Sequence, residues 1–84
     1  MRVGVQFTGT VAANASAQWY TFNWPASWHV IWHVVPTSPR TGAPQVEWET
    51  RVERANATYV TYWVLIKNLT NVPVNIEARY AVLN

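Results

Sequence analysis

Apolar and polar residues alternate with a period of two along most of this chain, and almost nowhere with the period of a helix. From Arg2 to Phe7 the apolar residues Val3, Val5 and Phe7 fall on every second position. Alternation of this kind places successive side chains on opposite faces of a strand. Thr8-Gly9-Thr10 reads as a break or bulge, and Ala12 to Ser16 as a turn. Ala17 to Trp24 is the next strand, with aromatic residues at both parities: Trp19, Thr21 and Asn23 alternate with Gln18, Tyr20, Phe22 and Trp24. Trp28 to Val35 follows, bracketed by Pro25 and Pro36 and dominated by Val, Ile and Trp, residue types that suit a pleated, half-buried surface. Proline lacks an N–H donor and biases its preceding residue toward extended backbone, so the brackets mark strand limits. The short Pro25-Ala26-Ser27 connection predicts an antiparallel hairpin between these two strands.

Three prolines and a glycine between Pro36 and Pro44 exclude a central strand or a helix there and predict a crossover between two sheets. The second half reads as a meander. Gln45 to Arg54 sets Val46, Trp48 and Val52 against Gln45, Glu47, Glu49, Arg51 and Glu53, the clearest inside–outside alternation in the chain. After an Ala55-Asn56-Ala57 turn, Thr58 to Lys67 is apolar on both faces by its end, as a central strand is. Asn68 to Asn71 turns the chain again. Val72 to Leu83 then alternates Val74, Ile76, Ala78, Tyr80 and Val82 with polar residues, predicting a C-terminus docked in a sheet. Trp48 and Trp63 are assigned to the core. Ala13-Asn14-Ala15-Ser16 and Ala55-Asn56-Ala57-Thr58 are two turns of similar chemistry rather than an internal repeat. The expected fold is all-β, a small antiparallel β-sandwich of six or seven strands, with a small β-barrel as the alternative, in one domain spanning residues 1–84.

Length and composition sharpen this picture. A chain of 84 residues hides only about 60–65 % of its unfolded surface, and the absence of cysteine removes disulfides and thiolate metal sites as staples. Six Trp, four Tyr and two Phe supply large apolar area, more than so small an interior takes. Some aromatics are therefore expected at a surface that meets a ligand or a second subunit, and a homo-oligomer is expected in either case. Six basic residues, scattered rather than clustered, and a formal charge of +2 give no nucleic-acid footprint. No apolar stretch approaches the ~20 residues of a membrane helix, and no signal peptide is visible, so synthesis in the cytoplasm, with possible release, is the default expectation.

The chain is poor in reactive chemistry. His29 and His33 lack the glutamate of a zinc-protease helix motif and, on a strand, sit about 13 Å apart, too far to share one ion. Glu47 and Glu49 have a carboxylate spacing that a glycosidase can use, but they belong to a solvated stripe with nothing to raise a general acid's pKa. Ser16, Ser27 and Ser38 have no nucleophile context, and the chain contains no aspartate to orient a histidine. Asn14, Asn56 and Asn68 each begin an Asn-x-Ser/Thr triplet, read here as turn-capping residues. No metal, cofactor or enzymatic activity is expected.

The surplus tryptophans remain. Trp19, Trp24 and Trp28 cluster around the expected hairpin beside Gln18, Tyr20 and Asn23. A flat indole with a neighbouring amide suits a sugar, the ring face against its C–H groups and the amide against its hydroxyls. The expectation is a lectin-like carbohydrate-binding module with Trp24, Trp28, Asn23, Trp19 and Tyr20 in the site. The alternative is a structural or assembly protein (oligomer, coat or filament subunit) whose aromatics form subunit interfaces.

Overall fold

The computed structural model describes residues 1–84 as six strands in two antiparallel three-stranded sheets that pack face to face without closing into a barrel. The strands are β1 (Arg2–Val11), β2 (Ser16–Pro25), β3 (Val30–Pro36), β4 (Val46–Arg54), β5 (Tyr59–Asn68) and β6 (Val74–Val82). Sheet I has the order β1-β6-β3 and sheet II the order β2-β5-β4. The sandwich and the strand count agree with the sequence pattern. Two of the five connections do not.

Only β4 and β5 form a sequential hairpin. Its turn is built by Asn56, whose Oδ1 accepts from the Thr58 and Tyr59 amides, while the Arg54 guanidinium donates to the Asn56 and Ala57 carbonyls. The expected hairpin across Pro25-Ala26-Ser27 does not form. Instead the Ala26 amide bonds to the Thr58 carbonyl at the sheet II side, the Trp28 amide closes a turn on Pro25, and by Val30 the chain is paired with Val82 in sheet I. Proline brackets limit strands but carry no information about which neighbour a strand takes. The Asn68–Asn71 turn is likewise a crossover from β5 in sheet II to β6 in sheet I. The Pro36–Pro44 segment crosses from β3 to β4, as its composition predicted.

The core is one cluster fed by both sheets: Trp32 and Val34 from β3, Val74, Ile76, Ala78 and Val82 from β6, Val60, Tyr62, Val64 and Ile66 from β5, with Val11 and Trp24 closing the ends. β5 and β6, the two central strands, lie over one another, which is why their inward residues are the most completely buried. At one lateral edge β1 meets β2, where Phe7 stacks on Trp19 at 5.2 Å. A Cβ at Gly9 would lie 2.6 Å from the Trp19 ring, so a side chain there would displace the indole. At the other edge His33 meets Trp48 edge-on at 5.6 Å.

Two bulges reset the alternation. In β1, Val5 pairs with Arg79 and Phe7 with Ala78, leaving Gln6 as the extra residue. Val3 and Val5 therefore point outward while Phe7 points in, although all three share a parity. The irregularity lies here and not at Thr8-Gly9-Thr10, which stays in register. In β2, Thr21 pairs with Tyr62 and Trp24 with Val60, so Phe22 and Asn23 together face the single residue Thr61. Asn23 takes a positive φ of 64°, a conformation asparagine tolerates better than most residues. The bulge turns Trp24 inward, and its indole Nε1 donates to Thr21 Oγ1.

Tyr62 sits in this aromatic core, and burial raises its phenol pKa above the ordinary 10.0. The folded chain then holds the phenolic proton to higher pH than the unfolded chain does. Stabilisation from this group is complete below pH 10 and is lost as pH rises through the higher folded-state value. Thermal denaturation across alkaline pH is expected to show a steeper loss of Tm above pH 10 in the wild type than in Tyr62→Phe. Parallel curves would count against it.

Candidate functional site

The aromatic residues that reach solvent gather where β2 forms the free edge of sheet II. Tyr20 is 58 % exposed and Phe22 63 % exposed, with ring centroids 6.2 Å apart. Outward parity on β2 places Tyr20 beside Trp63, its cross-strand partner on β5, and the two rings stack at 4.9 Å with planes 29° apart. Glu53 on β4 fixes the far side of this stack by accepting the Trp63 Nε1–H at 2.9 Å. Three strands thus hold one row of side chains rigidly, Glu53 to Trp63 to Tyr20, and Phe22 extends it at the bulge.

Next to this row is an open depression of about 330 Å³ lined by Gln6, Phe7, Trp19, Tyr20, Thr21 and Phe22. Both bulges contribute to it. Gln6 is the extra residue of β1, and Phe22 belongs to the two-residue step in β2. Bulges commonly re-aim side chains at sheet edges, and here they gather an amide and a phenyl ring beside the Phe7–Trp19 stack. Four aromatic rings and the exposed Gln6 amide make a shallow surface of mixed polar and apolar character, with the buried Thr21 hydroxyl already accepting from Trp24. Such a surface accommodates a flat amphipathic molecule.

The five residues expected from the sequence are divided by the structure. Trp19 and Tyr20 line the same depression, and Asn23 is exposed in the bulge next to Phe22. Trp24 is only 7 % exposed and belongs to the core, edge-on to Trp28, Trp32, Tyr62 and Tyr80. Trp28 is half-buried before β3 and packs against the core, with the Arg2 guanidinium 4.5 Å above its ring. Neither offers the exposed indole face anticipated for it. Conversely Trp63, assigned by sequence to the core, lies on the outer face of sheet II. The signal was its parity with Lys67, since Val60, Tyr62, Val64 and Ile66 form the inward set. Gln6 and Phe7 enter the site only because of the β1 bulge, which a period-two reading does not detect, whereas Phe22 shares the parity of Tyr20 and could have been found from it.

The remaining chemistry-bearing groups are engaged elsewhere. Glu47 lies 3.8 Å from Lys67 and Glu49 lies 3.6 Å from Arg51, all exposed to solvent on the sheet II face. His29 precedes β3, its amide bound to Asn84 Oδ1, so it does not share a strand with His33. No group of three or more His, Asp or Glu is arranged to hold a metal ion. No protein-family model matches the sequence, and neither the curated proteins nor the solved structures give a significant match.

Proposed function

We propose that this protein is a non-enzymatic, lectin-like carbohydrate-binding module whose site is the aromatic edge formed by Tyr20, Phe22 and Trp19, with Gln6 and Asn23 as hydrogen-bonding neighbours. The observation that carries the reading is the Tyr20–Trp63–Glu53 row beside the depression at β2. Exposed aromatic side chains are held in fixed orientation there without being needed to fill the core. A sugar ring laid on Tyr20 or Phe22 puts its C–H face on the aromatic surface and turns its hydroxyls toward the amides. Relative to the sequence expectation, the site keeps Trp19, Tyr20 and Asn23 and moves away from Trp24 and Trp28.

A glycan-array screen of labelled protein tests this, with Tyr20→Ala and Phe22→Ala as variants. Both residues are exposed, so the variants are expected to fold and to keep the wild-type far-UV circular dichroism. Removing an aromatic anchor from a binding surface typically costs 1–2 kcal/mol or more, about tenfold or greater in affinity. Binding to a coherent set of glycans, weakened at least ~10-fold by either variant, is the expected result. A folded wild type that binds no glycan overturns the proposal. In that event the reading as an assembly subunit gains, with Tyr20 and Phe22 as contacts between copies in a homo-oligomer.

A further inference from the structure

The opposite face of the sandwich has a different character. On the outer side of sheet I, Val3, Ala81 and Ile31 form one cross-strand row and Val5, Arg79 and His33 the next. Val3 is 74 %, Val5 51 % and Ile31 54 % exposed, a contiguous aliphatic surface over a hollow of about 340 Å³. The Gln6 bulge produces it by turning both valines out while Phe7 turns in. Exposed aliphatic side chains scattered singly need no explanation, but a contiguous group on one sheet face marks a surface that meets something.

We propose that this face is the interface of a two-fold dimer of the chain, formed back to back through sheet I. Charge selects the occupant. The face carries Glu77 and Arg79, paired with each other at 3.0 Å, and is therefore internally neutral. The outer face of sheet II carries Glu47, Glu49, Glu53, Arg51 and Lys67. Stacking sheet I on sheet II would strip these ions of water against aliphatic groups, which is costly, and would propagate head-to-tail. Sheet I against sheet I buries no unpaired charge and closes after two copies. A two-fold axis crossing β6 between Arg79 and Ala81 sets Val3 against Val5 and Ile31 against His33, and gives each Arg79 stem the space above a small Ala81.

The area sets the strength. Three strands about 4.8 Å apart and roughly 25 Å long present a footprint on the order of 360 Å² per copy, well below the ~800 Å² of a standard interface. The proposed dimer is therefore a weak one, and a micromolar dissociation constant is the expectation to be tested. The back-to-back arrangement leaves both aromatic edges clear of the interface. On the glycan-binding reading, the dimer is bivalent and gains avidity on surfaces that display many copies of a sugar.

Sedimentation equilibrium over the micromolar range tests the interface without reference to any ligand. The wild type is expected to approach twice the 9.6 kDa of the chain. Val5→Lys and Ile31→Lys, both at exposed positions, are expected to raise the dissociation constant at least ~10-fold with unchanged circular dichroism. Val52→Lys, at an exposed valine of sheet II, is expected to leave it unchanged. A monomeric wild type throughout the range overturns the proposal, as does a dimer that survives both sheet I variants. Because mass is the readout, failure here is distinct from failure to bind glycans. A protein that dimerises but is silent on the array refutes only the sugar reading. One that binds glycans as a monomer refutes only the dimer.

Discussion

Trp24→Ala is expected to remove about 3–5 kcal/mol of stability, the range for deleting a large aromatic from a packed core. The whole fold of an 84-residue domain rests on roughly 4–12 kcal/mol, so the variant stands at the edge of unfolding at room temperature. Position explains the size of the effect. The Trp24 ring meets Tyr62 of sheet II at 6.0 Å, and Trp32 and Tyr80 of sheet I at 5.6 and 5.1 Å, all steeply inclined to it. It also meets Trp28 of the crossover at 6.2 Å, so one side chain joins both sheets and the segment between them. Edge-to-face pairs add to the area buried, and none of these neighbours can collapse into the gap without leaving its own packing. Trp24→Phe keeps a ring but loses volume and the bond to Thr21, and is expected to cost less than half as much. Thermal denaturation decides the matter. At about 4–8 °C per kcal/mol for a domain of this size, Trp24→Ala should lower Tm by well over 10 °C. A fall of only a few degrees would show that Trp24 is not the joint between the sheets.

This expectation reverses what the sequence suggests for the same residue, where truncation of Trp24 should abolish ligand binding and spare the fold. The reversal has one cause. Reading β2 with an unbroken period of two puts Trp24 on the face of Tyr20 and Phe22, whereas the extra residue at Phe22-Asn23 places it on the face of Thr21. A bulge costs the chain little, because asparagine accepts the left-handed backbone it needs, yet every side chain beyond it changes sides. The same displacement at Gln6 separates Phe7 from Val3 and Val5 and thereby creates the aliphatic face of sheet I. Asn23 and Gln6 are ordinary polar residues at positions where alternation alone gives no cue.

Strand existence was legible because burial on one face leaves a periodic trace that does not depend on partners. Gln45–Arg54 and Thr58–Lys67 were readable even as a pair, since a three-residue turn with an asparagine joins neighbours in the same sheet. Partner choice elsewhere was not legible. Pro25–His29 is also short, but its backbone bonds run first to Thr58 in sheet II and then, through His29, to Leu83 beside sheet I. Four residues suffice to cross the ~10 Å between packed sheets, so a short connection does not distinguish a hairpin from a crossover. The site was half legible for the same reason. Tyr20 and Trp19 could be found by chemistry and Phe22 by its parity with Tyr20, while Gln6 and Trp63 required knowledge of the β1 bulge and of which face of β5 turns inward.

Asn68 gives the second large effect, at the end of the molecule where β1 turns into β2 and β5 crosses to β6. The residue is 1 % exposed, and its Nδ2 donates to the carbonyls of Val11, Ala12 and Val72 at 3.1, 3.2 and 2.7 Å. Its Oδ1 accepts from the Thr70 amide and hydroxyl, both at 2.8 Å. One primary amide therefore ties together two connections distant in sequence, and its burial explains why the Asn68-Leu69-Thr70 triplet serves the turn rather than presenting an acceptor at the surface. Asn68→Ala leaves several backbone groups without their partner in a site closed to solvent. At roughly 1–3 kcal/mol for each buried group left unsatisfied, a loss of about 3 kcal/mol or more is expected in urea denaturation. Asn68→Asp separates hydrogen bonding from packing. Its shape is unchanged, but an ionised carboxylate has no hydrogen to give and faces carbonyl oxygens, so at neutral pH it is expected to destabilise at least as much as alanine. Burial and those carbonyls favour the protonated acid, which raises the folded-state pKa of the new group above its unfolded value. Stability relative to wild type should then recover as pH falls toward 4, where the acid regains one donor. If Asn68→Asp were as stable as wild type at pH 7, or gained nothing in acid, the amide would not be the clamp that its hydrogen bonds describe.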